Sequence, residues 1–312
     1  MDYRNVDLTV ETGTWTGTPP TEVVTLSSKA SVSLSIDIAL LITALVTRPP
    51  EVYGFSLADA WAWLRYRPAF SYTADLRLKT EWEDIDPHQK TILSDEVGMG
   101  FTVYLCVEEL DFTIIANTQY FLRVVTPKGF YLGRSQKNGP RKSPDFVALD
   151  SQGRVNVLEC KGTQQSRKAL QTLIESGVQQ KSNLKTRAGS AVHHSLVVGL
   201  FVPQFSNQEE ALLHVRDPQL PLVEDILKRI TVAQQTIGIT QIALAQHFGL
   251  MGLQSMANAL ANRAMIENEP LQLEHGLEAE AVQAGQDPTY TFRFSLPLPT
   301  GAMTLNTVKS LP

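Results

Sequence analysis

Three observations predict a mixed α/β protein. A long helix signature follows Pro87, a strand–turn–strand pattern covers residues 145–161, and the order helix, strands, hairpin, helix, strand runs through residues 85–205. The 312 residues then divide into an N-terminal β/α region (1–84), a core (85–205), and a mostly helical C-terminal region with a terminal strand (206–312).

Each element has its own signal. Asn5–Trp15 and Glu22–Ser35 are β-prone stretches around a Thr-Gly-Thr-Pro-Pro turn at 16–20. Ile36–Val46 is apolar and stops before Pro49 and Pro50; its length suits a buried helix or a core strand. Ser56 is placed to cap a short helix running to Arg65, with Trp61 and Trp63 expected in a core. Pro87 suits a first turn, and His88–Glu109 adds about six turns of helix. Its apolar stripe is Ile92, Val97, Phe101, Tyr104 and Leu105, while Gly98 and Gly100 thin it for a close approach. Phe112–Ala116 and Tyr120–Val125 read as strands, followed by a polar loop at 126–143. Asp145–Leu149 and Arg154–Lys161 flank Asp150-Ser151-Gln152-Gly153, a type I turn pattern, which predicts an antiparallel hairpin. Arg167–Leu184 reads as helix, Ser195–Pro203 as a buried strand, Leu220–Ile266 as mostly helical, and Thr289–Leu298 alternates like an edge strand.

Composition narrows the function classes. With 43% hydrophobic and 19% charged residues the chain is neither disordered nor fibrous. Ile38–Val46 is too short to span a bilayer, and the N-terminus lacks the layout of a signal peptide. Two cysteines, Cys106 and Cys160, suit reduced thiols, so a cytoplasmic protein with no membrane partner is expected. The net charge of −5 conceals an asymmetry: Arg123–Arg187 holds 13 Lys and Arg against 4 Asp and Glu, a net of +9, and the remainder carries −14. That is the pattern of one phosphate-binding face on an acidic body.

The chemistry sits on the hairpin. Residues two apart on a strand share a face, so Glu159 and Lys161 project together while Leu158 and Cys160 point the other way. Asp145 opens the neighbouring strand and can lie across from Glu159. Two converging carboxylates suit a hard cation such as Mg²⁺ (or Mn²⁺), with water and substrate phosphate as the remaining ligands. Such a cation can activate water and neutralise charge on phosphate, and a nearby lysine can orient the nucleophile. Cys160 reads as a packed core residue.

Pro144-Asp145 and Glu159-Cys160-Lys161 on a hairpin resemble the motif of the PD-(D/E)xK nuclease superfamily, over roughly residues 85–205. The resemblance implies a restriction-endonuclease-like mixed-sheet core flanked by helices, and Mg²⁺-dependent cleavage of phosphodiester bonds, in DNA more than in RNA. It also implies an acidic residue from the preceding helix, for which Glu96 is the candidate, and polar help from the following helix, for which Gln179, Gln180 and Lys181 are candidates. Asp145, Glu159 and Glu96 are then the metal ligands. Arg134, Lys137, Arg141, Lys142, Arg167 and Lys168 are the candidate phosphate contacts. An endonuclease in prokaryotic antiviral defence or restriction is the implied context. The alternative is a catalytically inactive nuclease-like module that binds DNA or protein.

Plainer readings stand beside these. Glu159 and Lys161 could form a surface ion pair, Asp145 could cap a turn after Pro144, and Glu96 has a near rival in Asp95. His193-His194 could suggest a metal site, but neighbours on an extended chain face opposite ways. Gln241–Leu260 looks somewhat like a helix-turn-helix, yet residues 250–262 carry no Lys or Arg. Helical packing, a homodimer or a partner protein is the better reading of that segment.

Overall fold

A computed structural model describes residues 2–15, 18–47, 61–125, 143–181, 192–217, 232–251, 253–261, 271–272, 278–284, 289–298 and 301–308. The chain is mixed α/β. Its main sheet has seven strands, β1 (Tyr3–Val10), β2 (Ser31–Ser35), β3 (Phe112–Asn117), β4 (Phe146–Asp150), β5 (Val155–Thr163), β6 (Val192–Phe201) and β7 (Leu212–Arg216). They lie in the order β2-β1-β7-β6-β5-β4-β3, parallel at β1–β7 and β5–β6 and antiparallel elsewhere.

This topology alters the expected division of the chain. β1 pairs with β7 and β2 with β1, so the residues before 85 share one sheet with the hairpin. Residues 1–48 and 56–243 form one compact unit, and residues 49–55 with 244–312 form another.

Helices cover both faces of the main sheet. On one face lie α2 (Ile36–Val46) and α4 (Pro87–Glu109), on the other α6 (Arg167–Lys181). Ile36, Ala39, Leu40, Thr43 and Val46 recur at helical spacing and are all buried, which resolves the apolar segment as helix. The Ser35 hydroxyl caps it by accepting from the Ile38 N–H at 3.4 Å. The longer α4 begins as its sequence indicates, with Asp86 accepting from the His88 N–H at 2.8 Å and Pro87 in the first turn. Leu93, Val97, Phe101 and Leu105 are fully buried on it, each contributing about 2 kcal/mol of apolar burial.

Three segments differ from the sequence pattern. Glu22–Ser35 is not one strand: α1 (Thr21–Ser27) precedes β2, with Val23 and Leu26 buried at i and i+3. Tyr120–Val125 belongs to α5 (Thr118–Val125), where the Asn117 side chain accepts from the Gln119 N–H at 3.0 Å and Phe121 and Val124 turn inward. α3 (Trp61–Tyr66) buries Tyr66 and leaves Trp63 40% exposed, so the tyrosine and not that tryptophan enters the core.

In the second unit the expected mostly helical region contains a four-stranded antiparallel sheet. α7 (Val232–Leu250) crosses into this unit and α8 (Gln254–Ala261) lies within it. Ala245, Leu260 and Ala261 are buried together, which accounts for small residues in this helical segment by packing. Strands β8 (Leu271–Gln272), β9 (Glu278–Ala284), β10 (Thr289–Leu298) and β11 (Gly301–Val308) follow. β10 is paired on both sides, so Thr289–Leu298 is an inner strand and not an edge. Among the described residues, no helix is long and apolar enough to cross a membrane.

Candidate functional site

The hairpin register places the carboxylates. Phe146 pairs with Leu158 and Val147 with Val157 across β4 and β5. One step further brings Asp145 opposite Glu159. The turn between the strands is closed by the Gly153 N–H on the Asp150 carbonyl at 2.9 Å, with Gly153 at φ +73°. Asp150 steadies it further, its side chain accepting from the Gln152 and Arg154 N–H groups at 3.0 and 2.9 Å. Alternation along β5 then divides the strand: Leu158 and Cys160 join the core under α4, while Glu159 and Lys161 face α6.

Glu159 and Lys161 do not form a surface pair. Glu159 is 1% exposed, and its Oε1 receives the Lys161 ammonium at 2.5 Å. Its Oε2 is buried and has no hydrogen-bond partner among the described residues. A buried carboxylate oxygen left without a donor is costly unless a cation or proton completes it. Asp145 lies beside it, one oxygen accepting from the Cys160 backbone N–H at 2.8 Å. Burial, then the charge of Glu159, pushes the Asp145 carboxyl up to about 7, against the opposing pull of the Cys160 N–H and Lys161. Two carboxylates side by side, one of them with an oxygen that meets no donor among the described residues, fit a divalent cation.

The helix acid that reaches this site is Asp95. Its charge acts on both Asp145 and Lys161; partial burial raises its own carboxyl pKa and Lys161 draws it back down. Glu96 instead faces Tyr66, whose hydroxyl is raised by burial and by that carboxylate. Helical phase explains the choice. Asp95 lies one turn before Gly98, and Gly98 faces β5. Glu96 lies one turn before Gly100, which faces Ala39 and Thr43 of α2, and its own carbonyl accepts from the Thr43 hydroxyl at 3.3 Å.

Glycines create the space. A methyl at Gly98 would stand 2.9 Å from the Gly162 Cα and 3.0 Å from the Lys161 carbonyl oxygen. Gly162 in turn lies directly against the Ser94 carbonyl, so α4 and the end of β5 meet backbone to backbone. From the other face, a methyl at Gly177 on α6 would stand 3.2 Å from Lys161 Cε and 3.4 Å from Glu159 Cγ. The sequence carries a signal for this in Gly162 and Gly177, but their partners emerge only from the fold.

The remaining candidates fall into two groups. Arg167 is held by Asp7 at 2.5 Å and by the Glu210 carbonyl at 2.8 and 3.0 Å, whereas Lys168 is exposed. Arg134, Lys137, Arg141 and Lys142 lie outside the described residues. Gln179, Gln180 and Lys181 lie on the final turn of α6, and their side chains fall outside the described ones. Comparison of the chain with protein-family models, curated proteins and solved structures finds no match.

Proposed function

We propose that this chain is a metal-dependent nuclease with a restriction-endonuclease-like core, related in mechanism to the PD-(D/E)xK enzymes and cutting DNA internally. The observation that carries the reading is the buried Glu159 carboxylate, with Lys161 on one oxygen and no donor on the other, opposite Asp145. Asp145 and Glu159 would hold Mg²⁺ or Mn²⁺, with Asp95 nearer to them than Glu96. When bound, the cation supplies an activated water and neutralises charge developing on phosphate. Lys161, held beside the site by its hydrogen bond to Glu159 Oε1, would donate to the attacking water or the phosphate oxygens. The Cys160 N–H fixes the direction of the Asp145 carboxylate, and the buried Cys160 thiol takes no part. The +9 segment supplies phosphate attraction. A role in prokaryotic defence is the biological setting that accords with such an activity.

The test is cleavage of linear, circular and single-stranded DNA and of RNA, with Mg²⁺, Mn²⁺ or EDTA. Cleavage of circular DNA that needs the metal, and falls at least about 100-fold in Glu159→Ala and Lys161→Ala, supports the proposal. Cleavage that survives both substitutions removes the site, and binding without cleavage under every condition makes the chain a binding module.

A further inference from the structure

Consecutive strand residues normally point to opposite faces, yet the rings of His193 and His194 on β6 have centroids 4.2 Å apart. A β-bulge is the cause. Val155 and Val157 of β5 pair with Val192 and Ser195, so three steps on β6 oppose two on β5. Buried Asn156 holds the bulge, its Oδ1 accepting from the His194 N–H at 3.1 Å and its Nδ2 donating to the Arg154 carbonyl at 2.9 Å.

α1 brings Glu22 to the same point. Glu22 Oε1 is 3.3 Å from His193 Nε2 and 3.6 Å from His194 Nε2, and one donor atom from each residue lies within 4.8 Å of the other two. Ligands on a tetrahedron with bonds of about 2.1 Å are about 3.4 Å apart. The two shorter separations therefore match those of a zinc-type shell. A second observation is independent of spacing: His194 is 1% exposed, and its Nε2, turned toward Glu22, makes no hydrogen bond among the described residues.

We propose that Glu22, His193 and His194 form a binding site for a divalent transition-metal ion of the zinc type, separate from the Asp145–Glu159 site. Two imidazoles and one carboxylate suit Zn²⁺, Co²⁺ or Ni²⁺ and not Mg²⁺, which takes oxygen ligands. Three protein ligands leave a fourth position for water. Two contacts yield when the ion binds. Arg154 lies 3.2 Å from the same Glu22 oxygen, and it keeps its 2.6 Å bond to Asp150 on release. The Trp15 indole N–H lies 3.5 Å from His194 Nδ1, the outer limit of a hydrogen bond, and is displaced when Nδ1 carries the proton. The bound ion ties α1 to β6.

The experiment is a Co²⁺ titration of the full chain after EDTA treatment and dialysis, followed by visible absorption. His193→Gln, Glu22→Gln and Glu159→Gln are titrated alongside, with circular dichroism confirming that each is folded. The His193 and Glu22 side chains are 22% and 26% exposed, so neither supports the core. One equivalent of Co²⁺ should give the intense visible bands of a four-coordinate ion, displaced by Zn²⁺ and not by excess Mg²⁺. Affinity should fall at least about 10-fold in folded His193→Gln and Glu22→Gln and persist in Glu159→Gln. The site is overturned if the unaltered chain shows no such bands. It is equally overturned if binding survives both first substitutions, or disappears with Glu159→Gln.

Discussion

At the scale of single residues, the ion pair of Glu159 and Lys161 sets two opposed demands. Lys161 is the only partner hydrogen-bonded to the buried Glu159 carboxylate among the described residues, so Lys161→Met strands a charge in a low-dielectric wall. Breaking a buried pair in this way costs roughly 3 kcal/mol. Glu159→Gln removes the charge that burial penalises and leaves Lys161 16% exposed to water, so it costs less. Urea denaturation in EDTA should therefore rank Lys161→Met below Glu159→Gln in stability, although under the proposed nuclease function both should lose cleavage. Equal destabilisation would show that the pair is not desolvated as described. Mg²⁺ should also raise the melting temperature of the unaltered chain and leave Glu159→Gln unmoved.

At the scale of elements, close backbone approaches position the site. Gly98 and Gly162 let α4 touch the end of β5, and Gly177 lets α6 lie over Glu159 and Lys161. A Gly98→Ala methyl meets backbone on β5, which has no flexible side chain to turn aside. The expected cost is about 1–3 kcal/mol, with a further loss of activity because Lys161 is pushed from its place. A Gly177→Ala methyl would stand 2.9 Å from Cγ1 of the buried, β-branched Val197 as well as against Lys161 and Glu159, so it should cost about 1–3 kcal/mol of stability and lower any cleavage rate; thermal melts and cleavage rates measure the two. On β5, Asn156→Ala removes the acceptor of the His194 N–H in the bulge of β6. An unsatisfied buried N–H costs about 1–3 kcal/mol, and the two imidazoles should lose their shared orientation, seen as NMR chemical-shift changes for both rings.

At the scale of the whole molecule, β1 and β2 extend the sheet that carries the site, so the N-terminal segment is part of the main fold. An ion network closes this end: Arg67 binds Asp37 at 2.9 Å and also pairs with Asp2, which pairs with Arg4. Burial alone raises the Asp37 carboxyl, but the Arg67 hydrogen bond, the Asp2 N–H and the Arg67 charge outweigh it and hold the group below its usual range. With the folded pKa below the unfolded one, this stabilisation is complete above about pH 4 and is lost as pH falls through the folded value. The pair is partly exposed, so the loss is below about 1 kcal/mol. Asp37→Asn should be less stable than the unaltered chain at pH 7, and the gap should narrow as pH falls below about 4 in urea titrations.

The mixed α/β class, the long helix after Pro87, the hairpin and the Asp145–Glu159–Lys161 set were legible in the sequence. These rest on local rules: proline and Asx caps, a Gly-closed turn, and the two-residue alternation of a strand. Those rules do not depend on what lies across the sheet. What lay beyond them was decided by tertiary contact. Tyr120–Val125 and Glu22–Ser27 have strand-like composition but became helices because buried i, i+3 pairs, aided at Thr118–Val125 by the Asn117 cap, outweighed weak β preference. Asp95 displaced Glu96 because helical phase matters only once it is known that Gly98, and not Gly100, faces β5. His193 and His194 converged because a bulge against β5 broke the alternation that the sequence alone predicts. The sequence by itself determined which groups could do chemistry and on which strands they lie. The tertiary structure decided which of them meet, since pairing register, helix phase and bulges depend on partners far away along the chain.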